Sequence, residues 1–440
     1  MLALMVDKLR RIPGGLVLQN TLWLALGVGF TAGMDFLVTL YLARTLGPAS
    51  YGQFAFALAF SSLFAAFFDL GLSIVVTREC AKDQRNESYI PSLLSLKLIL
   101  GVAGLTLVVV GVYAATKSSL LRLLTIIMAC YVMVVEGNNF FYALFRARQK
   151  MQVEAIARMA HASLVLVGVV GVTFLGGSVV GIAVVYVCVG LGVLTGLLSV
   201  STGTTRMPLP LAALTPAVAV WRRFLGMAVY MALIRIAGDA IAYVDSILLG
   251  SLNQIEQVGW YNAATKLCGV FLFPMGLTTS AIFPSLVNLQ QKSDQEYRRR
   301  WALWFKGSLS MAVLIVAVVE LWADQIIRAA FPPSFAPSAG VLRILVLRVA
   351  CIYLHNTYYH ALLVRGEERN SFTAVGKASV LGLVLNVILI PIWSLYGAAI
   401  VSVIVHGLIL LQYVLLAARH SREEARRLAS MEIQGGMHGG

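Results

Sequence analysis

The chain has 440 residues, of which 59% are hydrophobic and only 12% charged. Soluble domains carry about a quarter charged residues, so a soluble globular fold is excluded and an integral membrane protein is predicted. The net charge of +14 does not call for nucleic acid, because Lys and Arg gather in alternate loops, as membrane topology requires.

At about 20 residues per span there is room for about a dozen spans. The predicted fold is an all-α integral membrane protein with about 12 transmembrane helices, in two six-helix bundles related as parallel repeats. Met1 to Arg11 ends in Lys8, Arg10 and Arg11 and reads as a short surface helix. The first apolar run is too long for a cleaved signal and is expected to remain as span one, about Leu16 to Ala43, with Asp35 in it. Gly47 and Pro48 break the helix. Span two, about Tyr51 to Val76, holds Asp69, and a charged loop, Arg78 to Ser88, follows. Span three is about Ile90 to Ala114, with Lys97 inside. Span four is about Leu120 to Leu144 and contains Glu136. Span five, about Ala155 to Leu175, carries Arg158 and His161, and span six is about Val179 to Val200.

Residues 201–220 are rich in Thr, Pro and Ala and read as a cytoplasmic linker between a first bundle, 1–200, and a second, 221–418. Span seven, Trp221 to Gly250, is the stretch around which this reading turns. It is long and apolar, yet Arg235 and Asp239 lie near its middle and Asp245 beyond them. An isolated charge at the bilayer centre costs roughly 2.5–3.5 kcal/mol, so such residues face protein or a watery cavity. Arg235 and Asp239 are four apart, on one helix face, and can neutralise each other. Span eight, about Gly259 to Leu286, holds Lys266, Pro274 and Pro284. Span nine, about Leu303 to Trp322, holds Glu320. Span ten, about Gly340 to Val364, holds Arg343, Arg348, His355 and His360. Span eleven, about Phe372 to Ile392, holds Lys377, Asn386 and Pro391; span twelve is about Tyr396 to Ala418. The tail, 419–440, is charged, then Gly-rich, and is expected to fray.

With the N terminus in the cytoplasm, Lys8, Arg78, Arg85, Arg146, Arg148, Arg222, Arg298, Arg299 and Arg365 fall on the inner side. The outer side shows Arg44, Lys117, Arg122 and Arg328. The bias predicts a multi-pass membrane protein with both termini cytoplasmic. The five cysteines lack metal spacing, and no disulfide, metal or cofactor is expected. There is no P-loop, so this chain is not expected to hydrolyse ATP.

The halves share a signature. TLYLARTLGPASYGQFAFA joins spans one and two, and SILLGSLNQIEQVGWYNAA joins spans seven and eight, with Gly52 and Gly259 in matching places. Arg44, Gly47, Pro48, Tyr51 and Gly52, then Asp69, Gly71, Leu72, Arg78 and Glu79, resemble motifs of the polysaccharide transporter family. Asp245, Leu249, Gly250, Glu256, Val258, Gly259, Tyr261, Ala263 and Ala264 resemble the matching element of its second half. Asn386, Pro391, Tyr396, Gly397, Ala398 and Ala399 resemble its closing pattern. That family includes the Wzx-type O-antigen and exopolysaccharide flippases, within the exporter superfamily of lipid II flippases and multidrug antiporters. The resemblance covers nearly the whole chain and implies a transporter, not an enzyme. It implies movement of a polyprenyl-diphosphate-linked oligosaccharide to the outer leaflet, with proton or sodium coupling and polysaccharide polymerase partners as further expectations.

The head group of such a substrate cannot cross hydrocarbon without losing its hydration. A wet route with cations for the diphosphate is needed. The cavity candidates are Arg235, Lys266, Arg348, Arg158, Lys97, Lys377 and Arg44. Asp35, Asp69, Asp239, Asp245 and Glu136 are candidates for ion coupling or charge pairing. Each has a plainer reading: Arg235 as partner of Asp239, Arg44 as a helix-end residue, and Lys97, Arg158 and Lys377 as side chains snorkelling to the interface. A multidrug antiporter is the nearest rival. A membrane glycan polymerase or ligase would need a sizeable outer loop, and the outer loops here are short.

Overall fold

The computed structural model describes residues 15–203, 216–290 and 292–437. Its regular structure is helical: α1 Gly15–Leu63, α2 Ala65–Asp69, α3 Leu72–Lys82, α4 Ile90–Ala115, α5 Ser119–Ala147, α6 Met151–Phe174 and α7 Val179–Gly203. Then follow α8 Val218–Ser251, α9 Ile255–Gln290, α10 Asp294–Ala330, α11 Ser338–Val364 and α12 Glu368–Met437. Among the described residues 10 helices are long and apolar enough to cross a membrane. Helix is what lipid dictates, since hydrocarbon offers backbone N–H and C=O groups no partner and each segment must satisfy its own.

Two helices are far too long for one crossing. The 49 residues of α1 would extend about 74 Å at 1.5 Å per residue, against a hydrocarbon core of about 30 Å. The chain turns inside α1 at Gly47 (φ 69°, ψ 176°), with Pro48 next. In the 70-residue α12 it turns at Ser394 (φ 53°, ψ −132°), three residues after Pro391. These are the places where the sequence divides span one from two and span eleven from twelve. Span two itself continues past Leu63 through α2 and α3, broken by left-handed Leu70 (φ 45°) and Gly71 (φ 75°).

The surface helix at 1–11 and residues 204–215 of the linker lie outside the described residues. Residues 201–203 of that linker belong to the end of α7, and 218–220 open α8. The tail from Arg419, expected to fray, continues as helix to Met437, because its Arg, Glu and Ala residues are good helix formers.

The molecule divides into two compact units, Met1–Gly259 and Trp260–Gly440. Within the first, α1 packs against α5, α6 and α8, and α8 also meets α3 and α4. Its apolar core includes Leu72, Val76, Phe140, Phe145 and Phe224. Within the second, α11 packs against α10 and α12. Tyr297 and Trp304 are buried there with Leu286.

The matched motif glycines have a physical reason. A Cβ on Gly52 would lie 2.0 Å from the Ile255 carbonyl oxygen, and one on Gly259 would lie 2.3 Å from the Pro48 carbonyl oxygen. The two copies of the repeated element thus cross at backbone contact in the first unit, which only residues without a side chain permit.

Candidate functional site

The site starts at the break between α2 and α3. Asp69 ends α2 and is buried. Its Oδ2 accepts the Ser73 backbone N–H at 3.2 Å and its Oδ1 accepts the Ser73 hydroxyl at 2.7 Å. The carboxylate therefore caps the first turn of α3, where unsatisfied N–H groups and the helix dipole favour negative charge. Gly71 allows α8 to come close: a Cβ there would lie 2.9 Å from Met231 Cβ and 3.0 Å from the Ala228 carbonyl oxygen.

Lys97 of α4 completes this corner. Its Nζ donates to Asp69 Oδ1 at 2.6 Å and to the Glu136 carbonyl oxygen at 2.9 Å. It also lies 5.7 Å from the centre of the Phe140 ring. Lys97 points inward, with its side chain only 8% exposed; it does not snorkel.

Glu136 of α5 carries the network across to α8. Its carboxylate is buried and takes a two-pronged grip from Arg235, Nη2 to Oε1 at 2.6 Å and Nη1 to Oε2 at 3.1 Å. Paired donors are what make arginine strong at carboxylates and phosphates. Asp239, expected to neutralise Arg235, is the weaker partner, with Oδ2 3.6 Å from Nε. Helix spacing put those two on one face, but the better geometry comes from a neighbouring helix. The Arg235 side chain remains 34% exposed. Four helices thus bring Asp69, Lys97, Glu136, Arg235 and Asp239 into one network, three acids and two bases in the membrane-crossing part of the first unit.

A second cluster holds the loop ends. Arg148 grips Glu87, with Nε to Oε1 at 2.7 Å and a further contact from Nη2 to Oε2. Glu154 accepts Arg146 Nε at 2.6 Å and Arg158 Nε at 2.9 Å. Arg158 also covers the Tyr142 ring at 4.6 Å. The hydrogen bond to Glu87 stabilises the charged form of Arg148 and raises its pKa.

In the second unit, Arg348 Nη1 donates to the Ser402 hydroxyl at 3.3 Å. One rung further, the rings of His355 and His406 stand 5.7 Å apart. Arg348 and His355 are seven apart on α11, and Ser402 and His406 four apart on α12, so each pair shares a helix face. Neither ring nitrogen of His355 has a hydrogen-bond partner.

Residues 17–290 match the family described as polysaccharide biosynthesis protein. The chain belongs to that family. Among its relatives, a Haloferax volcanii protein named "Probable low-salt glycan biosynthesis flippase Agl15" is 22% identical, covering 93% of this chain and 87% of its own. A protein of Escherichia coli strain K12 named "Putative O-antigen transporter" is 23% identical, covering 87% of this chain and 92% of its own. Among solved structures, the lipid II flippase MurJ in an inward closed conformation aligns with a TM-score of 0.75 at 12% identity, covering 90% of this chain and 87% of that one. At that identity the likeness is one of fold.

Within this polysaccharide biosynthesis protein, the other predicted residues stay apart from the network. Asp35 and Arg44 are exposed on α1, and Asp245 is buried near the end of α8. Lys266, Glu320 and Lys377 are exposed in the second unit. Ser73, Glu87 and Glu154 were missed as partners. Ser73 was detectable as a hydroxyl four residues past Asp69, beyond the Leu70–Gly71 break. Glu87 and Glu154 had only a charged loop around them as a signal.

Proposed function

We propose that this protein is a flippase that moves a polyprenyl-diphosphate-linked oligosaccharide from the cytoplasmic to the outer leaflet of the inner membrane, by alternating access, for surface polysaccharide assembly. The observation that carries this reading is the partly exposed Arg235, held by Glu136 in the middle of a membrane-crossing helix of a chain whose relatives are named for glycan flipping and O-antigen transport. A protein that only needed to cross the bilayer would be more stable without such groups.

The chemistry follows from the substrate's three parts. The isoprenoid tail is at home in lipid, whereas the glycan and diphosphate need water and cations. Arg235 offers fork-shaped donors to phosphate oxygens and exchanges its carboxylate partner for them. Arg348 provides a second cation, and Lys266, Lys377, Arg158, Lys97 and Arg44 are assigned to steer the head group or to hold neighbouring carboxylates. Glu136 and Asp239, released when Arg235 turns to the diphosphate, then take up a proton or sodium ion, which couples transport to a gradient; Asp35, Asp69 and Asp245 are the remaining carboxylates for that role. In this reading there are twelve spans, six in 1–200 and six in 221–418, both termini are cytoplasmic, and a polysaccharide polymerase system receives the flipped product on the opposite face.

Deleting the gene tests the reading. Lipid-linked repeat units are expected to accumulate on the cytoplasmic leaflet while surface glycan falls. Normal surface glycan without accumulation would contradict it.

A further inference from the structure

Between α4, α5 and α7 of the first unit lies a groove of about 410 Å³ that meets the charged network only at Lys97. Its walls include Leu94, Leu98, Val102, Met133, Leu191 and Leu194. It exists because small residues face it. Gly101 and Gly137 line it, and a Cβ on Gly137 would make ordinary contact with Leu194 at 3.7 Å. Any larger side chain there would enter the groove.

Three features identify the occupant. First, the groove faces lipid: Leu98 is 60% and Val102 67% exposed, both on a membrane-crossing helix. Second, it occupies one half of the bundle. Its lining runs over the first half of α4 and, from their midpoints onward, along α5 and α7. That half leads to Arg78 in α3, Arg85 and Arg148 in the connecting segments and Arg146 in the last turn of α5, the basic side of the protein. From Pro91 to Val102 the helix rises about 16 Å, roughly one leaflet of a hydrocarbon core about 30 Å thick. Third, its lining is apolar except for Lys97. The Lys97 ammonium is turned away into Asp69 and the Glu136 carbonyl, so the charged network begins directly behind the groove floor.

We propose that this groove holds the first isoprene units of the substrate's tail, those nearest the diphosphate, while the head group is loaded at the charged network from the cytoplasmic leaflet. The inference rests on the flippase reading and adds a tail subsite to it. A phospholipid acyl chain would meet the same apolar walls. The isoprenoid is assigned by tethering: a head group held at the partly exposed Arg235, in the network behind the groove floor, starts its chain at this point. The groove thereby discriminates for lipid carriers by their proximal isoprenes and fixes the height at which the head group enters.

Photo-crosslinking of the full chain in nanodiscs tests this. One probe is farnesyl diphosphate carrying a diazirine on its first isoprene unit. The other is phosphatidylglycerol carrying the same diazirine in an acyl chain. The isoprenoid probe is expected to form adducts within Leu94–Val102, Met133–Phe141 or Leu191–Leu198. Filling the groove with Gly137→Phe or Leu98→Trp should lower that labelling by about fivefold or more, the loss expected for one or two displaced methylenes. Gly137→Ala should retain it. Leu98 is exposed, so its replacement leaves the core intact, and loss in both filling variants is not unfolding. Equal labelling of the same peptides by the phospholipid probe, or full labelling of both filling variants, would overturn the proposal. Flipping of a lipid-linked oligosaccharide is measured on the same preparations. Flipping by the wild type without groove adducts overturns the tail subsite and leaves the flippase reading standing. Groove adducts without flipping support the isoprenoid site and overturn the flippase reading.

Discussion

Lys97 and Arg235 in the first unit each hold a carboxylate at 2.6 Å. Arg348 in the second unit holds the Ser402 hydroxyl at 3.3 Å, and its Nε has no hydrogen-bond partner. Among the described residues no carboxylate stands within ion-pair distance of it. The contrast separates two uses of buried charge. A cation matched by an acid is part of the framework, and removing either member strands the other in a medium of low dielectric. An unmatched cation is poised for an anion that arrives from outside, and a diphosphate is such an anion. Arg235 stands between the two cases, gripped by Glu136 yet partly open.

Lys97→Ala should show the largest effect. It leaves Asp69 buried and unpaired, at a cost of about 3–5 kcal/mol, read as a lower unfolding midpoint in detergent. Lys97→Met combined with Asp69→Asn should recover most of that stability, since an apolar replacement removes the charge imbalance. A harmless Lys97→Ala would break the matched-pair account. Arg235→Ala comes next, losing charge-assisted hydrogen bonds worth about 1.5–3 kcal/mol together with transport. Arg235→Lys should keep more stability than transport, because a point charge cannot reproduce the fork. Full transport in both variants at normal protein level would remove Arg235 from the route.

Arg348→Ala should reverse the pattern. Losing one hydrogen bond to a hydroxyl costs stability about 1 kcal/mol, while transport should fall about tenfold, equivalent to 1.4 kcal/mol. Stability lost as heavily as for Lys97→Ala would place Arg348 in the framework and erase the contrast. The smallest effect belongs to Arg298→Ala, whose Asp294 pair has both side chains 57% exposed. An exposed pair contributes about 0.2–1 kcal/mol, and transport should not change.

Much of the fold was legible because lipid enforces simple rules. Apolar runs located the membrane helices, and the breaks at Gly47–Pro48 and after Pro391 could be read from residues that cannot continue a helix. The position of the motif glycines was visible as well, but not its cause. That Gly52 meets Ile255 and Gly259 meets Pro48 depends on helices that lie far apart in sequence. The site was legible in its members and not in its pairings. Asp69, Lys97, Glu136, Arg235 and Asp239 all stood out as charges in apolar runs. Spacing along one helix suggested Asp239 for Arg235, and nothing in either span showed that Glu136 would supply the better geometry. Ser73 escaped notice because its role arises from the break at Leu70–Gly71. The groove was invisible for a similar reason: Gly101 and Gly137 are unremarkable in apolar helices until α7 is placed against them.

The central claim is that charges kept inside membrane helices serve a diphosphate head group in transit. Its most direct test is a leaflet assay in proteoliposomes, with purified protein and a fluorescent polyprenyl-diphosphate oligosaccharide whose outward-facing fraction is quenched from outside. The account predicts that wild-type protein speeds the exchange well above protein-free vesicles, and that Arg235→Ala and Arg348→Ala each lose most of that gain while remaining folded. Exchange no faster than in protein-free vesicles, or undiminished in both variants, would contradict it.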